Sequence, residues 1–198
     1  MLLLVCSLWI SELYLDLFTL LQALVFEEIL PGYHLRPGLV RERATLLKFI
    51  QLSYQELFPE QDEFSHLAVT VEKYFSQETP LWWVELAESA VSSDSPTVSW
   101  LQPIACLWLG NAVDQILGDR HAHIFLLYVM PKYRRQGIGS ALMRYAESWA
   151  KARGDRQIGL QVFQRNQPAL HLYHKLGYQA QSLWMIKPLH RSDKPMQS

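Results

Sequence analysis

The sequence predicts a mixed α/β (α+β) domain in which about four helices flank a central sheet of about six to seven strands. Three observations predict this fold class. Apolar runs of strand length alternate with segments of helical periodicity between residues 31 and 189. An apolar strand, a basic turn with two glycines and a helix follow one another over residues 124–150. A later helix, residues 168–176, starts with a proline and ends before a glycine, as helices commonly do.

The composition bounds the class of protein. The chain has 198 residues, enough for one substantial core, and a formal net charge of −1. This balance of charge argues against a nucleic-acid-binding domain, which usually carries a basic excess. Cys6 and Cys106 lie far apart in apolar surroundings. We expect them to be reduced core residues of a cytoplasmic protein, without a disulfide or a metal site.

The first 30 residues are unusually apolar, and we interpret residues 1–30 as an extra amphipathic helix that packs on the domain or on a partner subunit. A signal peptide is disfavoured because the first basic residue is Arg36. A membrane span needs about 20 nearly uncharged residues, and Glu12 and Asp16 interrupt this run. Its leucines recur at helical spacing: Leu13, Leu17, Leu20, Leu21 and Leu24. A start codon placed too far upstream is an alternative explanation for residues 1–26.

The main domain is expected over residues 31–189, beginning at a Pro-Gly turn signal. The first half has strands at 33–37, 81–87, 98–109 and 123–129, helices at 39–57 and 62–74, and loops at 89–96 and 110–120. The helices follow from apolar residues on one side, and Pro59 ends the first of them. The second half has helices at 137–153 and 168–176, and strands at 157–163, 178–180 and 183–187. Gly154 is a C-cap candidate, and residues 190–198 are expected to be a flexible tail.

The turn after the fourth strand has the features of an anion-binding site. Pro131 ends the strand because it has no amide hydrogen for the ladder. Glycines at 137 and 139 let the backbone approach a ligand, and the first amides of the following helix point outward with no partner. A pyrophosphate fits such a site. A Walker loop is excluded because Ser140 follows Gly139, and a dinucleotide fingerprint is excluded because Leu142 replaces its third glycine.

The sequence Arg134-Arg135-Gln136-Gly137-Ile138-Gly139, after Val129-Met130-Pro131, resembles the acetyl-CoA loop of the GNAT superfamily of N-acetyltransferases. A second match lies in the later helix, where the family has Asn, Ala, Tyr and Gly-Phe/Tyr at fixed spacing. This chain has Asn166, Ala169, Tyr173 and Gly177-Tyr178 at those positions. The resemblance covers about residues 31–189 and implies the GNAT fold, in which the two early helices shape the acceptor pocket.

The resemblance also implies roles for individual residues. The Val129 N–H would stabilise the oxyanion, and Tyr173 would act as the general acid that protonates the leaving thiolate. Neither His123, at the start of the fourth strand, nor Glu85, on the second strand, is assigned as the base, and both remain candidates. The residues expected to bind acetyl-CoA are Val129, Arg134, Arg135, Gln136, Gly137, Ile138, Gly139, Ser140, Asn166 and Tyr173.

The implied activity is transfer of an acetyl group from acetyl-CoA to a primary amine by direct attack in a ternary complex, without a metal. Cys106 lies outside both motifs, which disfavours an acyl-enzyme. Protein N-termini, lysines, polyamines and small amines or antibiotics all remain open as acceptors, whereas nucleic acid and membrane are not expected partners. A non-catalytic acyl-CoA-binding module and a donor such as succinyl-CoA are the alternatives. A homodimer through the N-terminal helix or a sheet edge is a further hypothesis.

Overall fold

Six strands form a single sheet in the computed structural model, which describes residues 27–87 and 102–189. The strands lie in chain order across the sheet. Neighbours pair antiparallel except for the last two, which are parallel. The strands are β1 (Glu27–Leu30), β2 (Tyr33–Pro37), β3 (Leu81–Leu86), β4 (Ala105–Val113), β5 (Arg120–Val129) and β6 (Ile158–Leu160). The predicted mixed α/β class is confirmed.

Helices cover both faces of this sheet. They are α1 (Arg43–Leu57), α2 (His66–Tyr74), α3 (Ile138–Ala152) and α4 (Gln167–Lys175), with 3-10 turns at Val40–Glu42 and Pro131–Tyr133. The helix α3 connects β5 to the parallel strand β6, as a crossover must. It ends at the predicted C-cap, where Gly154 has φ 83°. No helix within the described residues combines the length and apolar character needed to cross a bilayer.

Two hydrophobic clusters lie on opposite faces of the sheet. On one face α1 and α2 pack on the strands, where the Phe49 ring contacts the rings of Trp83 and Tyr128 at centroid distances of 5.1 and 5.6 Å. On the other face α3 packs on Trp82, whose ring lies 5.3 Å from Tyr145. The central strands are buried on both faces, so alternate residues of one strand supply opposite cores.

Two predictions at the ends of the domain are wrong. Residues 27–30, assigned to the N-terminal helix, form the edge strand β1, because the Pro31-Gly32 turn folds them back onto β2 as a hairpin. Residues 178–180 and 183–187, expected to close the sheet, form no strand. The adjacent strand β6 is only three residues long and offers little ladder for pairing. The rest of residues 1–30, the 89–96 loop and the 190–198 tail lie outside the described residues.

The hairpin between β4 and β5 is longer than predicted. The two strands pair as far as Val113 and Arg120, so both ends of the expected 110–120 loop belong to the ladder and only residues 114–119 form the turn. The Asp114 carboxylate accepts hydrogen bonds from the amides of Ile116 and Leu117, at 2.8 and 2.6 Å, and so stabilises the tight turn. A bulge at Phe125 interrupts the pairing, because Trp108 pairs with Leu126 whereas Leu109 pairs with Ile124.

Candidate active site

A gap opens between β5 and β6 toward the C-terminal end of β5. The strand β6 pairs with β5 only over residues 122–124, and residues 125–129 extend beyond it. The Met130 amide donates to the Ile104 carbonyl of the β4 side at 2.9 Å. Successive amides of a strand point to opposite sides, so the Val129 N–H points away from β4 and toward the gap. Among the described residues, no strand pairs with that side of Val129.

The start of α3 lies directly after this gap. The first helical backbone bond joins the Ala141 amide to the Gly137 carbonyl at 3.0 Å, which leaves the amides of residues 138–140 without a helical partner. Gly137 has φ 88° and Arg135 has φ 64°, and the latter is the one described non-glycine residue in the left-handed region. Such a conformation costs of order 1 kcal/mol, a strain often found at ligand-binding turns. Three outward amides and the helix dipole make this turn suited to an anion.

Side chains of the turn are anchored to the rest of the domain. The Tyr33 hydroxyl donates a hydrogen bond to the Gln136 side-chain oxygen, which ties the turn to β2. The Arg134 Nε donates to the Val129 carbonyl at 2.8 Å. Its guanidinium also pairs with the Glu56 carboxylate at 2.6 Å. Gln136 and Arg134, both expected to contact the cofactor, therefore hold the turn in place in this structure.

The second motif forms α4 and lies beside the turn. The Asn166 side chain caps this helix by accepting a hydrogen bond from the Ala169 amide at 3.2 Å. A Cβ on Gly139 would lie 3.4 Å from the Leu172 side chain, so the first turn of α3 packs closely against α4. Tyr173 packs with the α3 face of the sheet, and burial raises the pKa of its phenol to about 12. The fold thus brings the two motifs, 30 residues apart in sequence, to one region.

The two candidate bases, Glu85 on β3 and His123 on β5, have different surroundings, and the role of either as the base stays a prediction. The Glu85 carboxylate is buried and pairs with the Arg36 guanidinium at 2.8 Å. Burial raises the pKa of Glu85, and the Arg36 partner opposes that rise. His123 lies six residues before Val129, about 20 Å along the strand. The bulge at Phe125 also shifts the alternation of side chains along β5, so that His123 and Val129 lie on opposite faces of the sheet. His123 contacts Phe125 on one face, and Val129 packs on the α3 side.

The sequence analysis missed a cluster at the C-terminal end of β5. The Tyr128 hydroxyl donates to Glu56 Oε1 at 2.5 Å, and the Arg134 guanidinium donates to Glu56 Oε2 at 2.6 Å. Burial raises the pKa of Tyr128, and the bond to Glu56 adds to the rise. The only sequence signals are a tyrosine directly before Val129 and a glutamate in the last turn of α1. No local pattern pairs residues 72 positions apart.

A model of the acetyltransferase (GNAT) family matches residues 46–178, which include the gap, the turn and α4. This chain belongs to the GNAT acetyltransferase family. The predicted family resemblance and GNAT fold are confirmed.

Relatives of this GNAT chain agree with that assignment. An uncharacterised N-acetyltransferase of Methanocaldococcus jannaschii is 34% identical over 74 residues, 37% of this chain and 31% of its own length. The chain therefore spans about a third of that relative. A putative acetyl transferase structure from Pyrococcus furiosus is 26% identical, with a TM-score of 0.59 over 79% of this chain and 99% of its own. A predicted acetyltransferase from Clostridium acetobutylicum, solved with acetyl-CoA, has a TM-score of 0.59 at 16% identity, over 79% and 96% of the two chains.

Proposed function

We propose that this GNAT protein is an N-acetyltransferase that moves an acetyl group from acetyl-CoA to a primary amine. One observation carries the proposal. The amides of residues 138–140 have no helical partner, and they lie next to a gap into which the Val129 N–H points. Family membership supports acetyl-CoA as the donor, and a protein of similar fold was solved with it.

The residues of the turn and of α4 would divide the work of binding and catalysis. The amides from Arg135 to Ser140 hold the diphosphate, with the side chains of Arg134 and Arg135 as charged contacts. When bound, acetyl-CoA supplies an activated thioester. The Val129 N–H would stabilise the developing oxyanion, a contribution of about 10²-fold in rate for one donor. Burial raises the pKa of Tyr173 to about 12, so the phenol keeps its proton at neutral pH and is a weaker acid than free tyrosine. It would protonate the leaving thiolate only when its hydroxyl is held against the sulfur.

Direct attack by the amine is favoured over an acyl-enzyme. Cys106 is fully buried in β4, and burial raises the pKa of its thiol, so little thiolate exists at neutral pH. The acceptor classes stay the same as those the sequence leaves open: protein N-termini, lysines, polyamines, and small amines or antibiotics. A cytoplasmic location and a homodimer through the N-terminal segment or the β1 edge belong to this proposal too.

Two measurements on the full chain test the proposal. Titration calorimetry with acetyl-CoA measures binding, and release of the CoA thiol in the presence of an amine and peptide panel measures transfer. We expect saturable binding and thiol release with at least one amine. Binding without release against a broad panel would instead identify a non-catalytic acyl-CoA-binding module. Tighter binding of succinyl-CoA than of acetyl-CoA would identify the alternative donor.

A further inference from the structure

The Glu56 carboxylate lies on the face of the sheet opposite α3 and α4, at the same end as the gap. Tyr128 and Val129 are consecutive, so their side chains face opposite clusters: Tyr128 packs with α1, and Val129 packs with α3. The buried Tyr128 hydroxyl fixes Glu56 at that end of β5 through its bond to Oε1. Glu56 is therefore a carboxylate held next to the residue that supplies the proposed oxyanion donor.

The surroundings of Glu56 place it at the mouth of the gap. Its neighbours on α1 reach across to the chain that follows β6: the ring of Phe163 lies 6.0 Å from Tyr54 and 5.0 Å from Phe58. The Arg165 guanidinium adds a bond to Glu60 at 2.8 Å. An acceptor that approaches the end of β5 from the α1 face would thus pass between these aromatic residues and the turn that carries Arg134.

The Arg134–Glu56 pair differs in exposure from the Arg36–Glu85 pair on this face. The Arg36 and Glu85 side chains are 17% and 7% exposed, whereas those of Arg134 and Glu56 are 41% and 37% exposed. Exposed ion pairs contribute little to stability, so this one is easily exchanged. Arg134 also belongs to the anion-binding turn, only four residues before the amides of residues 138–140. A diphosphate bound there would offer its guanidinium a second anionic partner.

We infer that Arg134 exchanges partners. Its guanidinium pairs with the Glu56 carboxylate in the protein without cofactor and moves to the diphosphate when acetyl-CoA binds. Glu56 is then free to bind the ammonium group of the acceptor. The guanidinium seen on Glu56 stands in for that ammonium, because both are cations that donate N–H bonds to the same carboxylate oxygen. The inference rests on the proposed function and deepens it. It makes acetyl-CoA binding and amine binding mutually favourable, with the cofactor binding first.

The exchange predicts an effect on cofactor binding that needs no turnover. Glu56→Gln removes the competing anion, so Arg134 is available from the start, and acetyl-CoA should bind about three- to fivefold more tightly. Glu60→Gln is the matched control, because Glu60 also lies near the end of α1 and pairs with an exposed arginine that is not on the turn. It should leave the affinity unchanged. In an Arg134→Gln background, Glu56→Gln should give no gain.

The result of the calorimetry separates this inference from the proposed function. No acetyl-CoA binding by the unaltered chain would overturn the proposed function. Binding by the unaltered chain with no gain in Glu56→Gln over Glu60→Gln, or a gain that persists in the Arg134→Gln background, would overturn the exchange alone. At saturating acetyl-CoA, Glu56→Gln should also raise the KM of the best amine in the panel about tenfold. An unchanged amine KM would overturn the role of Glu56. Melting curves establish that each variant is folded.

Discussion

At the scale of single residues, Tyr173 combines burial with a place beside the anion-binding turn. Tyr173→Phe removes the phenolic proton and keeps the ring, so acetyl-CoA affinity should stay nearly constant while kcat falls about 10²-fold. Calorimetry and thiol release measure the two quantities. Because the pKa of Tyr173 is raised to about 12, the phenol stays protonated as pH rises to 10, and kcat should not fall in that range through loss of its proton. Equal turnover in the variant would remove Tyr173 from the mechanism.

The Glu42 carboxylate accepts hydrogen bonds from four N–H donors. It accepts bonds from the Leu39 amide at 2.7 Å, from two nitrogens of Arg36 at 3.0 and 2.8 Å, and from the Trp83 indole at 3.1 Å. Burial raises the pKa of Glu42, but these bonds outweigh burial and hold the pKa below its ordinary value of 4.5. The ionised form therefore stabilises the fold above about pH 4.5, and this contribution is lost as pH falls through the folded pKa.

Glu42→Gln should consequently destabilise the protein by about 1–3 kcal/mol at pH 7. The difference in unfolding free energy from the unaltered chain should shrink as the pH falls from 4.5 through the lower pKa of the folded state, because Glu42 is protonated first in the unfolded chain and then in the folded one. Denaturant titrations at several pH values measure it. A difference that stays constant with pH would show that the charge of Glu42 contributes nothing.

At the scale of elements, a negative charge in the first turn of α3 should have opposite effects on helix stability and on cofactor binding. Ser140→Glu places a negative charge at the third helical position, where the helix dipole favours it, so the melting temperature should not fall. The same charge repels a diphosphate, so acetyl-CoA should bind at least about tenfold more weakly. Ser140→Gln, similar in size and neutral, is the control. Equal affinities of the two variants would show that no anion binds at this turn.

The bulge in β5 gives a second prediction for an element. A Cβ on Gly110 would lie 2.0 Å from the Phe125 ring, which packs against Trp108 at 4.8 Å. Gly110→Ala should therefore push the ring toward solvent and cost about 1–2 kcal/mol of unfolding free energy. Denaturant titration measures the cost. The cost should be smaller in a Phe125→Leu background, and a cost independent of Phe125 would assign it to the backbone instead.

At the scale of the whole molecule, features encoded within a short window of sequence are predictable, whereas pairings between distant residues are not. The turn and both flanking elements follow from residues 124–150, since a proline, two glycines and helical spacing lie together there. The strand β1 was missed because its four residues are defined by pairing with β2, which no periodicity within them reveals. Residues 183–187 have the composition of a strand, but the side chains of Leu183, Trp184, Met185 and Ile186 are 75–87% exposed and pair with nothing in the sheet.

The candidate site divides in the same way. The positions of Val129, Gly137 and Tyr173 could be selected because two spaced motifs contain them, and their roles stay predictions. The surroundings of the candidate bases come only from the fold: Glu85 pairs with Arg36, and a bulge turns His123 to the other face from Val129. The role of either residue as the base stays a prediction. Glu56 and Arg134 form an ion pair although they lie 78 residues apart, and no sequence pattern predicts that pair.

The two separate hydrophobic clusters have a consequence for how such a protein diversifies. The turn at the start of α3 and the helix α4 lie on one side of the sheet, and α1 and α2 lie on the other. Apart from Glu56, which pairs with Arg134, substitutions in the last turn of α1 would therefore change the surface that the proposed acceptor meets without repacking the residues around the proposed donor site. Under the proposed function, the acceptor specificity of related proteins could change on the α1 face while the donor site on the opposite face stays unchanged.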